Sequence, residues 1–181
     1  MTGVQTCALP ICTNGVLRLL KALRHEAPNA EMTAKRLGVK SGDAVGYVFK
    51  TLHTAHAGKM SMVRVLSGAI GDGVTLATPE REVGRVSGTF KMLGHAAEKR
   101  GPAAAGETVA LGKLDHAKTG DTLSAGKQPH PSLAEVQPHS PVLAIAVAAK
   151  ERKDDVKLGQ AIHKLLDADP SITLVHNPET H

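Results

Sequence analysis

Residues 59–68 read KMSMVRVLSG. Within them Val63 and Val65 stand two apart with Arg64 between, the period-2 pattern of a strand with one face on a core and the other in water. The same texture extends outward from Ala44 to Ser124. β-prone runs at Ala44–Leu52, Lys59–Leu66, Val74–Thr78, Glu82–Leu93, Glu107–Leu114 and Asp121–Leu123 are separated by Ala57-Gly58, Gly71-Asp72-Gly73, Gly101-Pro102 and Thr119-Gly120. Glycine takes positive φ at such turns without steric cost. Short strands at regular turn spacing predict a small barrel or sandwich, and closure into a barrel suits them because it removes exposed sheet edges. With 2 Phe, 1 Tyr and no Trp, the core must rest on Val, Leu, Ile, Ala and Met.

Both flanks read differently. Val16, Leu19, Leu20 and Leu23 share one helical face, which predicts a helix over Asn14–Ala27 with Asn14 as its cap and Pro28 beyond its end. Residues 28–43 are mixed and polar, a linker with a short helical turn near Glu31–Leu37. Residues 126–141 hold four prolines, each fixing φ and removing a donor, so a stiff linker separates the sheet from the C-terminal segment. The remainder predicts strand, helix, strand: Val142–Val147, then an amphipathic helix over Asp154–Asp167 with Leu158, Ala161, Ile162, Leu165 and Leu166 on one stripe, then Ile172–Val175. One helix on two strands does not complete a layer, so a truncated α/β half domain is expected. The expected plan is a leader at 1–12, a helix and linker at 13–43, the β-barrel at 44–127, a Pro-rich linker at 128–139 and the partial α/β domain at 140–181.

The leader, MTGVQTCALPI over Met1–Ile11, resembles a translated sequencing adapter. Its removal from the fold argument leaves Cys7 and Cys12 without meaning. No stretch approaches the roughly 18 to 20 apolar residues that span a bilayer, and no signal peptide is visible. No membrane partner and a cytoplasmic location are therefore expected.

Catalytic motifs are missing. The closest string to a phosphate-binding loop, Gly38-Val39-Lys40-Ser41, lacks the first glycine at its offset and the preceding strand. Of the 10 histidines, His53 and His56 lie three apart but have no neighbouring Cys, Asp or Glu to complete a zinc set. Asp154-Asp155 fits the positive end of a helix dipole better than acid–base chemistry. No catalytic, cofactor-binding or metal-binding residue is expected. The charge is more informative. Net charge is +5, and residues 13–127 hold 17 Lys+Arg against 10 Asp+Glu while the rest holds 5 against 7. Lys59, Arg64, Arg81, Arg85, Lys91, Lys99 and Arg100 all fall in the expected barrel. With so few aromatics to stack bases, contact with a polyanion would run through phosphates. Lys59, Arg64, Lys91, Lys99 and Arg100 are the candidate RNA-contacting residues.

Six motifs in register complete the reading. Val48-Phe49-Lys50, His56-Ala57-Gly58-Lys59-Met60, Arg64-Val65-Leu66-Ser67-Gly68, Ala105-Gly106-Glu107, Thr119-Gly120-Asp121-Thr122-Leu123 and Asp169-Pro170-Ser171 together resemble elongation factor G, in the order and spacing of its domain II and the start of its domain III. The resemblance covers nearly all of residues 13–181. It implies that Asn14–Pro28 is the last helix and exit of a GTPase domain otherwise lacking here, with a linker to residue 43, and that residues 140–181 begin a ferredoxin-like sandwich. The partners it implies are the ribosome through small-subunit rRNA, the upstream GTPase domain and further downstream domains. GTP and Mg would belong to the intact parent, a GTP hydrolase acting in translocation or recycling, and this segment would relay motion without catalysis. Met62, where an aromatic is usual, departs from the pattern. The alternatives are a ribosome-protection or release-factor-type GTPase, and a free-standing β-barrel interaction module.

Overall fold

The computed structural model describes residues 15–40, 42–54, 58–94, 96–126, 129–133 and 137–175. The expected leader, Asn14 and His56 lie outside these. Two helices precede the sheet, α1 (Val16–Glu26) and α2 (Ala30–Arg36). α1 begins at Gly15, in the left-handed region, and ends at an extended Ala27, the conformation Pro28 imposes on its predecessor. α2 carries a side-chain cap: the Asn29 side chain accepts the Met32 N–H at 2.7 Å. Glu31 in its first turn and Lys35 and Arg36 in its last complement the helix dipole.

Ten strands follow among the described residues: β1 (Val45–Thr54), β2 (Gly58–Ser67), β3 (Ala69–Ile70), β4 (Thr75–Ala77), β5 (Glu82–Arg85), β6 (Thr89–Leu93), β7 (Ala96–Arg100), β8 (Ala103–Ala104), β9 (Thr108–Gly112) and β10 (Thr122–Ser124). The main sheet has the order β5-β4-β10-β1-β2-β9-β6-β7, all antiparallel, and β3 pairs with β8 apart from it. The fold is mainly β, as the alternation predicts. The single run expected over Glu82–Leu93 is two strands because it changes neighbours. β5 pairs with β4 and β6 with β9. Between them Val86 exchanges backbone bonds with residues 73 and 74, while Ser87 donates to the Gly112 carbonyl and Gly88 accepts from its N–H. Among the described residues no ladder joins the edge strands β5 and β7, so strand pairing does not itself close the expected barrel. β7 escapes sequence reading because Ala96-Ala97-Glu98-Lys99-Arg100 has no apolar alternation and is exposed over its first four residues.

The core draws on most of the strands. Val48, Val63, Val65, Ile70, Leu76, Val109, Leu111, Leu114 and Leu123 are all fully buried in one cluster. Val63 and Val65 point inward and Arg64 outward, as read from the alternation. Two bulges interrupt the β1–β2 ladder. Val48 pairs with Val63 and Lys50 with Met62, leaving Phe49 as the extra residue, so Phe49 and Lys50 are both exposed and Thr51 returns to the interior. Val45 pairs with Ser67 and Gly46 with Val65, leaving Leu66 over. Leu66, on the outward face that alternation from Val65 gives it, joins Val45 and Val39 beneath Ala34 and Leu37 of the α2 segment, a second small cluster.

The C-terminal part departs from expectation. It forms a 3-10 turn (Arg152–Asp154) and α3 (Asp155–Ala168), but neither Val142–Val147 nor Ile172–Val175 is a strand. A strand exists only where a neighbour supplies the other half of its hydrogen bonds. No neighbour among the described residues does so here, and Val142, Leu143, Ile145 and Val147 are mostly exposed. Of the predicted helical stripe, Leu158, Ile162 and Leu166 are half-buried, while Ala161 and Leu165 are exposed.

Gly68 ends β2 with φ 64°, and a Cβ there would lie 2.7 Å from the Ala44 Cα. Both the left-handed backbone, costing about 1–2 kcal/mol, and a backbone contact too short to relieve by rotamer change, costing about 1–3 kcal/mol, oppose any side chain. Gly68→Ala is expected to lower unfolding free energy by about 3 kcal/mol in urea titration, whereas Gly58→Ala, with open space around its Cβ, is expected to lose only the backbone part.

Candidate nucleic-acid interface

The five candidate basic residues do not form one patch. Arg64 sits on the outward face of β2, exposed, with its Nη1 donating to Thr108 Oγ1 on β9 at 3.2 Å. Lys91 and Lys99 lie on the β6–β7 hairpin, both exposed. There Lys91 opposes Glu98 and Lys99 opposes Phe90, so the period-2 rule puts the two lysines on opposite faces. Lys99 also meets Asp72 at 3.4 Å, an exposed pair worth about 0–1 kcal/mol that leaves its ammonium available.

Lys59 and Arg100 are each engaged by a carboxylate of the fold. Lys59 lies five residues from Arg64 along β2, roughly 16 Å at strand rise. Its side chain is buried: Nζ donates to the Asp115 carbonyl at 2.8 Å and to Asp167 Oδ2 at 3.0 Å. Arg100 is turned onto Glu107, its Nη2 lying 2.9 Å from both carboxylate oxygens. Glu107 also accepts the Ala104 N–H at 2.8 Å. That backbone bond first, and the Arg100 side chain second, hold the Glu107 carboxyl below the usual glutamate range. The Ala105-Gly106-Glu107 motif is therefore a turn fastened by its own carboxylate, with Gly106 at φ 90°.

Two other motifs are likewise corners. Asp121 Oδ2 accepts the Lys118 N–H at 2.8 Å and Arg81 Nη2 at 3.3 Å. The Asp121 carbonyl accepts from Val48 N and Gly120 N donates to Val48 O, so Thr119-Gly120-Asp121-Thr122-Leu123 clamps β10 to β1. Thr122 Oγ1 then accepts the Leu133 N–H at 3.0 Å, tying down the chain as it leaves the sheet. In Asp169-Pro170-Ser171 the Asp169 side chain accepts both the hydroxyl and the N–H of Ser171, which lower its pKa. Sequence reasoning missed Glu107, Asp121 and Asp167 as counter-ions; the first two stand inside motifs, but their cationic partners lie in other segments.

The string nearest a phosphate loop, as far as it is described, follows a helix rather than opening one. Gly38 and Val39 follow the C-terminus of α2, and their N–H groups are engaged by the carbonyls of Lys35 and Ala34. A phosphate cradle needs free N–H groups at a helix N-terminus.

Two family models match separate parts of the chain. The family model "Elongation factor G domain 2" matches residues 43–126, and "Elongation Factor G, domain III" matches residues 139–181. An elongation factor G-like protein of Synechocystis sp. is 36% identical over 170 residues, covering 92% of this chain and 24% of the relative. One from Mycobacterium tuberculosis is 32% identical over 151 residues, covering 74% and 21%. A crystal structure of a protein from Thermus thermophilus superposes with TM-score 0.72 at 27% identity, covering 92% of this chain and 24% of that one. The chain thus spans about a quarter of the length of the curated relatives it matches.

The lowered Glu107 pKa carries a sign. A carboxyl depressed in the folded state contributes stability above its unfolded value and loses it as pH falls through the folded value. In carbon-detected titration Glu107 is expected to inflect below an ordinary glutamate, and Arg100→Met to raise that midpoint while the Ala104 bond keeps it from returning fully. An ordinary midpoint in the unmodified protein contradicts the turn assignment.

Proposed function

The chain belongs to the elongation factor G family, and from that premise we propose that it supplies ribosome contact and mechanical relay within a translation factor, without catalysis of its own. The observation that carries this is the set of exposed cations on a rigid sheet, Arg64, Lys91 and Lys99, in a chain whose two matched segments belong to one factor. In this reading small-subunit rRNA is met through phosphates, with shape rather than base identity recognised. Nucleotide chemistry, with GTP and Mg, belongs to other residues of such a protein, which would act in ribosomal translocation or recycling. The sheet suits a relay because its corners are fixed by backbone-to-carboxylate bonds at Asp121 and Glu107. Among the described residues no helix is long and apolar enough to cross a membrane.

The test is filter binding of the 181-residue chain to purified small ribosomal subunits across a salt series. Affinity is expected to fall with salt, with a slope of about 0.7–0.9 per phosphate contacted. Arg64→Ala, Lys91→Ala and Lys99→Ala are each expected to weaken binding a few-fold and flatten that slope, while Arg100→Met has little effect. Salt-independent binding, or none, overturns the phosphate-contact reading. Binding to a protein partner with no affinity for ribosomal particles favours an interaction module instead.

A further inference from the structure

Asp167 occupies a position that its own helix disfavours. It lies in the last turn of α3, where the dipole places partial negative charge and a cation is preferred, and that turn contains no basic residue. Its carboxylate points at the sheet instead. Oδ2 is 3.0 Å from Lys59 Nζ on β2 and 3.6 Å from His53 Nε2 on β1, contacts spanning more than a hundred residues of sequence. The Lys59 side chain is 7% exposed. Among the described residues Asp167 is the only carboxylate it meets, and the Asp115 carbonyl is its other acceptor. A buried ammonium stripped of its counter-ion is costly. The apolar contribution to docking is small by comparison, since α3 has no fully buried residue and only Leu158, Ile162 and Leu166 reach half-burial on its stripe.

We propose that Asp167 and Lys59 form a charge latch that seats α3 on the β1–β2 end of the sheet, with His53 flanking it. The latch fixes how the segment after the Pro-rich linker is held against the sheet before it. Because its attraction is concentrated in one ion pair with little apolar area behind it, α3 is releasable as a unit while the sheet stays folded. This goes beyond ribosome contact and is read out within the isolated chain, so its failure would leave the ribosome-binding reading untouched, and the reverse.

Amide hydrogen exchange on the full chain tests it. Asp167→Asn removes a charge unfavourable to the helix dipole, so α3 considered alone should become more protected. The latch predicts the opposite: protection of α3 amides falls about tenfold while those of β1, β2 and β9 are unchanged. Asp167→Glu, which keeps the charge, retains most of the protection. Adding Asp167→Asn to Lys59→Met produces no further loss, since either substitution already opens the latch. Unchanged or increased α3 protection in Asp167→Asn overturns the proposal, as does equal loss of protection in the sheet. Should Lys59→Met not fold, the Asn and Glu comparison at residue 167 decides the matter.

Discussion

The ladder between β1 and β2 is the constraint on which the other elements depend. Its two strands are each ten residues long, and each has its outer edge taken, β1 by β10 and β2 by β9. Val48 and Val63, directly paired, are both fully buried at the centre of the core. Every backbone polar group in such a buried ladder must find its partner in a neighbour, so the register of this pair fixes which face of β9 and β10 turns inward. The two bulges belong to the same logic. They leave Phe49 and Leu66 unpaired, and Leu66 with Val45 and Val39 forms a second apolar face against the α2 segment.

The motifs shared with elongation factor G acquire physical content on this frame. Asp121 holds the β10 corner through a backbone N–H and an arginine, Glu107 does the same before β9, and Gly68 permits a contact with Ala44 that no side chain allows. These residues maintain shape. The basic side chains sort by engagement: Lys59, Arg81 and Arg100 are held by carboxylates and are at most partly exposed, whereas Arg64, Lys91 and Lys99 are exposed, Lys99 with only a surface pair to Asp72. Net charge counts all of them alike, so a charge tally overstates the cations free for a polyanion.

The segment after the sheet illustrates how partners decide structure. Val142–Val147 and Ile172–Val175 have strand-like composition, yet neither is paired among the described residues. α3 forms because its hydrogen bonds are internal and need no neighbour. Its contact with the sheet rests on a buried lysine meeting a carboxylate, a directional interaction that specifies one seat at modest cost in apolar area.

From the sequence alone the mainly β fold was legible, as were the inward pair Val63 and Val65, the three helices to within a residue or two at most ends, and the family through six motifs in register. Those features arise from local periodicity, turn chemistry and spacing. Tertiary structure alone decided that Glu82–Leu93 is shared between two neighbours, that Phe49 and Leu66 are bulged, that β7 is a strand at all, and that Lys59 and Arg100 are engaged within the fold. The physical reason is common to all four. Strand pairing and ion pairing join residues distant in the chain, and a side chain's availability is set by what the fold brings against it.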